Sequence, residues 1–280
     1  MKLLRYGAVG QEKPGMLDAE GRLRDLSQII GDVDGRLLSE GGIAFLNTID
    51  PTTLPEVEGS PRMGPCVGKV GKIVCVGLNY SDHAKESGAA APSEPILFLK
   101  PTSSICGPDD DVEIPKGSTK TDWEVELGVV IGRRAKYVSE DDALSYVAGY
   151  CVVNDVSERE YQLERLGQWD KGKGHDTFAP IGPWLVTSDE VPDAQKLSLW
   201  AEINGKRMQN GSTANMIFTV RELIAYISRF MTLEPGDIIT TGTPAGVGLG
   251  QKPPLYLKDG DVIRMGVEGL GEQKQRCKAL

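Results

Sequence analysis

Between Thr121 and Ile131 the chain reads Thr-Asp-Trp-Glu-Val-Glu-Leu-Gly-Val-Val-Ile. In a strand, successive side chains point to opposite faces, which sets Asp122, Glu124 and Glu126 on one side and Trp123, Val125, Leu127, Val129 and Ile131 on the other. Three carboxylates that close raise one another's pKa unless a cation sits among them or water screens them. Two arrangements meet that condition: a divalent metal site, or the solvated outer face of a half-buried strand. The chain has two histidines and five cysteines, none of them in a Cys-x-x-Cys pair. A metal site here must therefore use oxygen ligands, which suits Mg²⁺, Mn²⁺ or Ca²⁺ rather than zinc or copper.

Other residues could join that chemistry. The apolar run Tyr146 to Val153 reads as a buried strand and ends in Asn154-Asp155. If it neighbours the first strand, Asp155 meets Glu124 and Glu126 and completes a three-carboxylate site; otherwise Asp155 caps a helix expected from Ser157 to Arg165. Upstream, a helical turn starting at Ser81 or Asp82 puts His83 and Glu86 on one face, either as an acid/base pair or as a structural histidine with its neighbour. The run Gly88-Ala89-Ala90-Ala91 that follows suits a mobile flap over a site. Lys100, sharing a strand face with Phe98, either holds an anionic substrate or snorkels to solvent. The stretch Thr241 to Gly248 is rich in glycine and can bring backbone amides close to an anionic ligand. Gly172-Lys173-Gly174 lacks the spacing of a phosphate loop.

These residues need a scaffold. Lys2 to Val9 reads as a strand, and a hairpin turns at Ala19-Glu20-Gly21. Prolines 51, 55, 61 and 65 then mark a segment hostile to helix and central strand. The expected division is a small N-terminal domain over residues 1–68 and a catalytic domain over 69–280. Lys72 to Gly77 and Pro95 to Pro101 read as strands, Asn204-Gly205 as a tight hairpin turn, and Thr219 to Glu222 as a capping box opening a helix. Val262 to Val267 and Gln273 to Lys278 supply two final strands. No repeat or sustained βαβ alternation appears, so the expectation is a mixed α+β, β-rich sheet roll rather than a Rossmann fold or TIM barrel.

Composition narrows the partners. The 280 residues are 40% hydrophobic, enough for a sizeable core, and the formal charge of −9 comes without a Lys/Arg-rich block. Nucleic acid is not expected as a partner. No apolar leader and no eighteen-residue apolar window appears, so no membrane is expected and a cytoplasmic location is. The odd, scattered cysteines read as reduced, buried thiols.

Taken in order, Asn79-Tyr80-x-x-His83-x-x-Glu86, Phe98-Leu99-Lys100-Pro101, Asp122-x-Glu124-x-Glu126, Asn154-Asp155, Lys173 before Asp176-Thr177-Phe178, and Thr241-Gly242-Thr243-Pro244-x-Gly246 resemble the motifs of the fumarylacetoacetate hydrolase family. The resemblance spans roughly the catalytic domain. It implies a β-roll in a homodimer, Mg²⁺ or Mn²⁺ held by Glu124, Glu126 and Asp155, a lid carrying His83 and Glu86, and Lys173 as a catalytic lysine. Tyr80, Lys100, Trp169 and Thr243 would surround a small keto-acid substrate. The opening of the chain is similar to bacterial members acting on 2,4-diketo-3-deoxy sugar acids such as those of rhamnose and fucose, a group similar to ones labelled ureidoglycolate lyase. The implied chemistry is hydrolysis of a carbon–carbon bond in a β-diketo acid: a Lewis-acid metal, Glu86 with His83 as base for water, and Lys173 on the oxyanion. A lyase, decarboxylase or isomerase could use the same site, and a non-catalytic metal-binding protein could keep the fold.

Overall fold

A computed structural model describes every residue except Glu40 and Ala89. The carboxylate strand lies at its centre. Val125–Ile131 pairs on one side with Val147–Asn154 and on the other with Ile238–Thr240. The main sheet runs Leu23–Asp25, Lys13–Leu17, Lys2–Tyr6, Ala179–Thr187, Val147–Asn154, Val125–Ile131, Ile238–Thr240, Ile73–Gly77, Ile96–Lys100. The N-terminal strands extend this sheet, since Lys2 and Leu3 pair with Val186 and Leu185. A second sheet of five strands includes Ser198–Ile203, Val262–Val267 and Gly271–Ala279.

Both faces of the central strand are covered. Trp123, Val125, Leu127, Val129 and Ile131 pack into one core with Leu199, Ala201, Met265 and Val267 of the second sheet. Val130, on the opposite face, belongs to another core with Cys151, Val153, Ile238 and Leu3. The alternation expected from the sequence therefore holds, but the solvated-face reading of the carboxylates does not: every residue from Val125 to Ile131 is buried. All five cysteines are free and buried, as expected.

Two expectations need correction. Thr121 to Ile131 is not one strand. Thr121–Asp122 forms a separate two-stranded ladder with Ser157–Glu158, and the break at Trp123-Glu124 takes Asp122 away from the other two acids. The helix expected from Ser157 to Arg165 is absent for the same reason: Ser157 and Glu158 are drawn into that ladder, and only Glu160–Glu164 coils, as one π-helical turn.

Local signals elsewhere formed as read. Asn204 and Gly205 take φ of 50° and 78°, the left-handed pair a two-residue hairpin requires. Thr219 and Glu222 exchange capping hydrogen bonds at the start of Val220–Ile227, whose Val220, Leu223, Ile224 and Ile227 are buried. Among the described residues no helix is long and apolar enough to cross a membrane.

Candidate active site

Register brings the acids together. Glu126 lies opposite Val153, Val125 lies opposite Asn154, and the Asp155 amide donates to the Glu124 carbonyl at 3.0 Å. Asp155 thus arrives beside Glu124 at the end of the neighbouring strand. Oxygens of Glu124, Glu126 and Asp155 all lie within 4.8 Å of one another, and all three residues are buried. A hard divalent cation with oxygen ligands at about 2.0–2.6 Å fits such a spread.

Three buried cations answer these acids unequally. Lys173 Nζ donates to Glu124 and Asp155 at 2.7 Å each, and Lys100 Nζ donates to Asp155 at 2.6 Å. Arg159 Nη2 lies 2.7 Å from Glu124 and 2.8 Å from Asp122, an ionic contact without well-aligned hydrogen bonds. Burial works against ionised Glu124, but Lys173 and Arg159 outweigh it and hold its pKa low. Burial likewise opposes charge on Lys173, yet Asp155 and Glu124 push it up to about 12, so it stays an ammonium. Among the described residues Glu126 has no ion pair of this kind. Its carboxylate accepts one hydrogen bond, from the Gly242 amide at 2.7 Å, and burial followed by the charges of Asp155 and Glu124 raises its pKa well above the usual range. In this cluster four acids face three cations, so it carries no surplus of positive charge, and its donor set fits Mg²⁺ or Mn²⁺.

His83 and Glu86 do meet on one helix face. In the Ser81–Glu86 helix, His83 Nδ1 lies 3.1 Å from Glu86 Oε2. Glu86 Oε1 accepts from the Gly246 amide at 2.9 Å. His83 lines a cavity of about 230 Å³ that also exposes Glu124, Glu126, Asp155 and Lys173, while Glu86 stands behind the imidazole. Ala89, in the small-residue run expected to form a flap, lies outside the described residues.

The remaining expected residues fall at different depths. Trp169 and Thr243 line the cavity. Trp169 meets Phe98 edge-on, ring centres 5.5 Å apart, and the Thr243 hydroxyl donates to the Val125 carbonyl at 2.9 Å. Lys100 is behind Asp155, with its second bond to the Val156 carbonyl at 3.0 Å, so it neither snorkels nor reaches the cavity. Tyr80 is fully buried beside the cluster, and its hydroxyl makes no well-formed hydrogen bond. The glycine-rich loop does place amides on anions, but they are the protein's own: Gly242 on Glu126, Gly246 on Glu86, Gly248 and Leu249 on Asp122.

Sequence reading missed Arg159 and Gln162, which also line the cavity and bond to each other at 3.0 Å. Their spacing of three was visible, but an assumed regular helix hid which way the pair faced.

This strand-rich α+β fold buries three carboxylates that could hold a metal ion, beside a lysine and a histidine–glutamate pair. Residues 72–278 match the model of the fumarylacetoacetate (FAA) hydrolase C-terminal family, and the chain belongs to that family. A Burkholderia cenocepacia (strain HI2424) protein provisionally named a hydrolase is 66% identical over 99% of both chains. The 2-hydroxyhepta-2,4-diene-1,7-dioate isomerase of Mycobacterium marinum is 33% identical, with TM-score 0.77 over 100% of this chain and 98% of that one. Maleylpyruvate hydrolase from Sphingobium sp. SYK-6, solved in complex with manganese (II) ion and pyruvate, is 28% identical, with TM-score 0.83 over 100% of this chain and 99% of that one.

Proposed function

We propose that this enzyme hydrolyses the carbon–carbon bond of a β-diketo acid, an acylpyruvate or 2,4-diketo-3-deoxy sugar acid, to pyruvate and a carboxylic acid. The observation that carries the reading is the cavity with three buried carboxylates at one end and the His83 imidazole in its wall. Glu124, Glu126 and Asp155 would hold Mg²⁺ or Mn²⁺, which supplies Lewis acidity toward the substrate's carboxylate and 2-keto oxygen. The manganese in the maleylpyruvate hydrolase complex supports that assignment.

His83 takes the proton of the attacking water. Nδ1–H donates to Glu86, which leaves the Nε2 lone pair as the base; Glu86 fixes the tautomer and orientation rather than meeting water itself. Water oxygen bonds to the distal carbonyl carbon, the bond from that carbon to the central methylene breaks, and its electron pair stays on the pyruvate fragment until a proton arrives. Lys173 has two of its three N–H bonds on carboxylates, leaving one for the developing oxyanion. Lys100 holds Asp155 in place through its 2.6 Å hydrogen bond.

Pyruvate release from a panel of acylpyruvates, with Mg²⁺ or Mn²⁺ and after chelation, tests the proposal. Absence of metal-dependent pyruvate from every compound would sink it. The 33% identity to an isomerase supports a second reading in which an enol acid is isomerised without water; an ultraviolet change with no pyruvate would select it. The proposal includes a cytoplasmic homodimer acting on a small molecule, with no nucleic acid or membrane partner. Light scattering that gives only monomer mass would refute the assembly.

A further inference from the structure

Gly250 ends the turn that follows the glycine-rich loop, and its φ lies outside the left-handed range, so its backbone conformation is open to any residue. Its space is not. A Cβ at Gly250 would come within 2.2 Å of Glu86 Cδ, 2.5 Å of Oε1 and 2.6 Å of Cγ. The Glu86 carboxyl therefore lies against the bare Cα of Gly250, while Oε1 accepts from the Gly246 amide at 2.9 Å and Oε2 lies 3.1 Å from His83 Nδ1.

The loop side of this contact is fixed. Gly248 and Leu249 donate their amides to Asp122 at 2.6 and 3.0 Å, and the Gly250 amide donates to the Val247 carbonyl at 3.2 Å. The helix side is held more lightly. The Ala84 amide donates to the Tyr80 carbonyl, and the Ser87 amide and hydroxyl donate to the His83 carbonyl, so these bonds run back along the same segment. Among the described residues, the Gly246–Glu86 hydrogen bond is the one polar tie between the Ser81–Glu86 helix and the loop.

We propose that Gly250 is a positioning residue: by lacking a side chain it leaves the seat from which Glu86 holds the His83 imidazole at the cavity wall. The role is separable from folding. All three atoms nearest a methyl at 250 belong to the far end of one flexible side chain. An alanine there displaces Glu86 from the Gly246 amide instead of breaking the loop. The imidazole then loses the partner that fixes its tautomer and angle, which costs turnover more than binding. This rests on the reading of His83 as the base and adds to it a residue that touches neither substrate nor metal ligand.

The test compares Gly250→Ala, Glu86→Ala and the two together. In Gly250→Ala, amide hydrogen exchange over residues 81–87 should speed by at least about fivefold, while Val125–Ile131 exchanges as before. On an acylpyruvate that the unsubstituted enzyme cleaves, kcat should fall about tenfold or more with KM and Mg²⁺ affinity kept. Added to Glu86→Ala, Gly250→Ala should change exchange and kcat by less than about twofold, because the side chain it strikes is gone. Unchanged exchange in Gly250→Ala overturns the proposal. So does a loss confined to KM, or losses that add in the double variant. If Gly250→Ala does not fold, the double variant should; a double variant that also fails overturns the proposal, since the methyl then meets something other than Glu86. If the exchange results hold but no acylpyruvate yields pyruvate, the seat is supported and the hydrolytic reading is what fails.

Discussion

Asp122 and Glu126 are both fully buried acids four residues apart, yet the protein treats them in opposite ways. Asp122 is saturated. It accepts from Trp123 N at 2.8 Å, Gly248 N at 2.6 Å, Leu249 N at 3.0 Å and Arg159 Nε at 2.8 Å. Glu126 has one amide and two like charges for company. A buried carboxylate given all its donors by the chain is a structural tie, whereas one left short of donors awaits a ligand. The contrast separates the scaffold from the proposed metal centre more sharply than burial, which is the same for both.

Substitution at the starved end should have the largest effect. Glu126→Gln should lower divalent-metal affinity by more than the roughly 10–100-fold typical of losing an outer-shell partner, and activity should fall with it. An unchanged metal titration would show that Glu126 is not a ligand. Next comes the base: His83→Ala should lower kcat by about 10²–10⁴-fold while metal binding persists. Glu86→Gln should lose less, and the double variant should be no worse than His83→Ala if the two act as one unit. A loss confined to KM would make the pair a gate.

At the saturated end the expected cost is stability. Asp122→Asn leaves Arg159 short of a buried counter-charge and should cost about 3–5 kcal/mol by denaturant unfolding. Metal affinity should be nearly kept; a large loss would erase the distinction drawn here. The smallest effect concerns pH. Glu126 has a folded-state pKa raised above its unfolded value, so the folded protein binds more protons between the two. Its contribution therefore makes the metal-free protein less stable as pH rises above about 4.5, toward the raised value. Added Mg²⁺ should raise Tm more at neutral pH than at acidic pH, and its binding should release a proton, visible by calorimetry in buffers of different ionisation enthalpy. A metal effect independent of pH would contradict the assignment.

Much of this was legible in the sequence because it depends on period and spacing. Alternation over Val125 to Ile131 fixed which residues face the second sheet, and the turn chemistry of Asn204-Gly205 and the Thr219–Glu222 cap worked locally. The clustering of Glu124, Glu126 and Asp155 was readable for the same reason. What escaped depends on long-range partners. Asp122 has the same alternation as Glu124, and only the ladder with Ser157–Glu158 and the loop near Gly248 turn it away. Lys100 looks like a ligand-binding lysine until Asp155, 55 residues later, occupies it. Arg159 and Gln162 could be placed only once a π-turn replaced the assumed helix.

One loop ties the proposed metal ligands, the His83–Glu86 pair and the scaffold together. Gly242, Gly246 and Gly248 hold Glu126, Glu86 and Asp122 through main-chain N–H groups, so what the loop supplies is spacing rather than side-chain identity. Between the glycines, replacing Pro244 or Ala245 alters little of that ruler. Deleting either moves every later amide out of step with its carboxylate, so the length of this stretch should stay frozen together with Gly242, Gly246 and Gly248, where a Cβ would meet neighbouring atoms at 2.9, 2.0 and 1.9 Å, while Ala245 can vary.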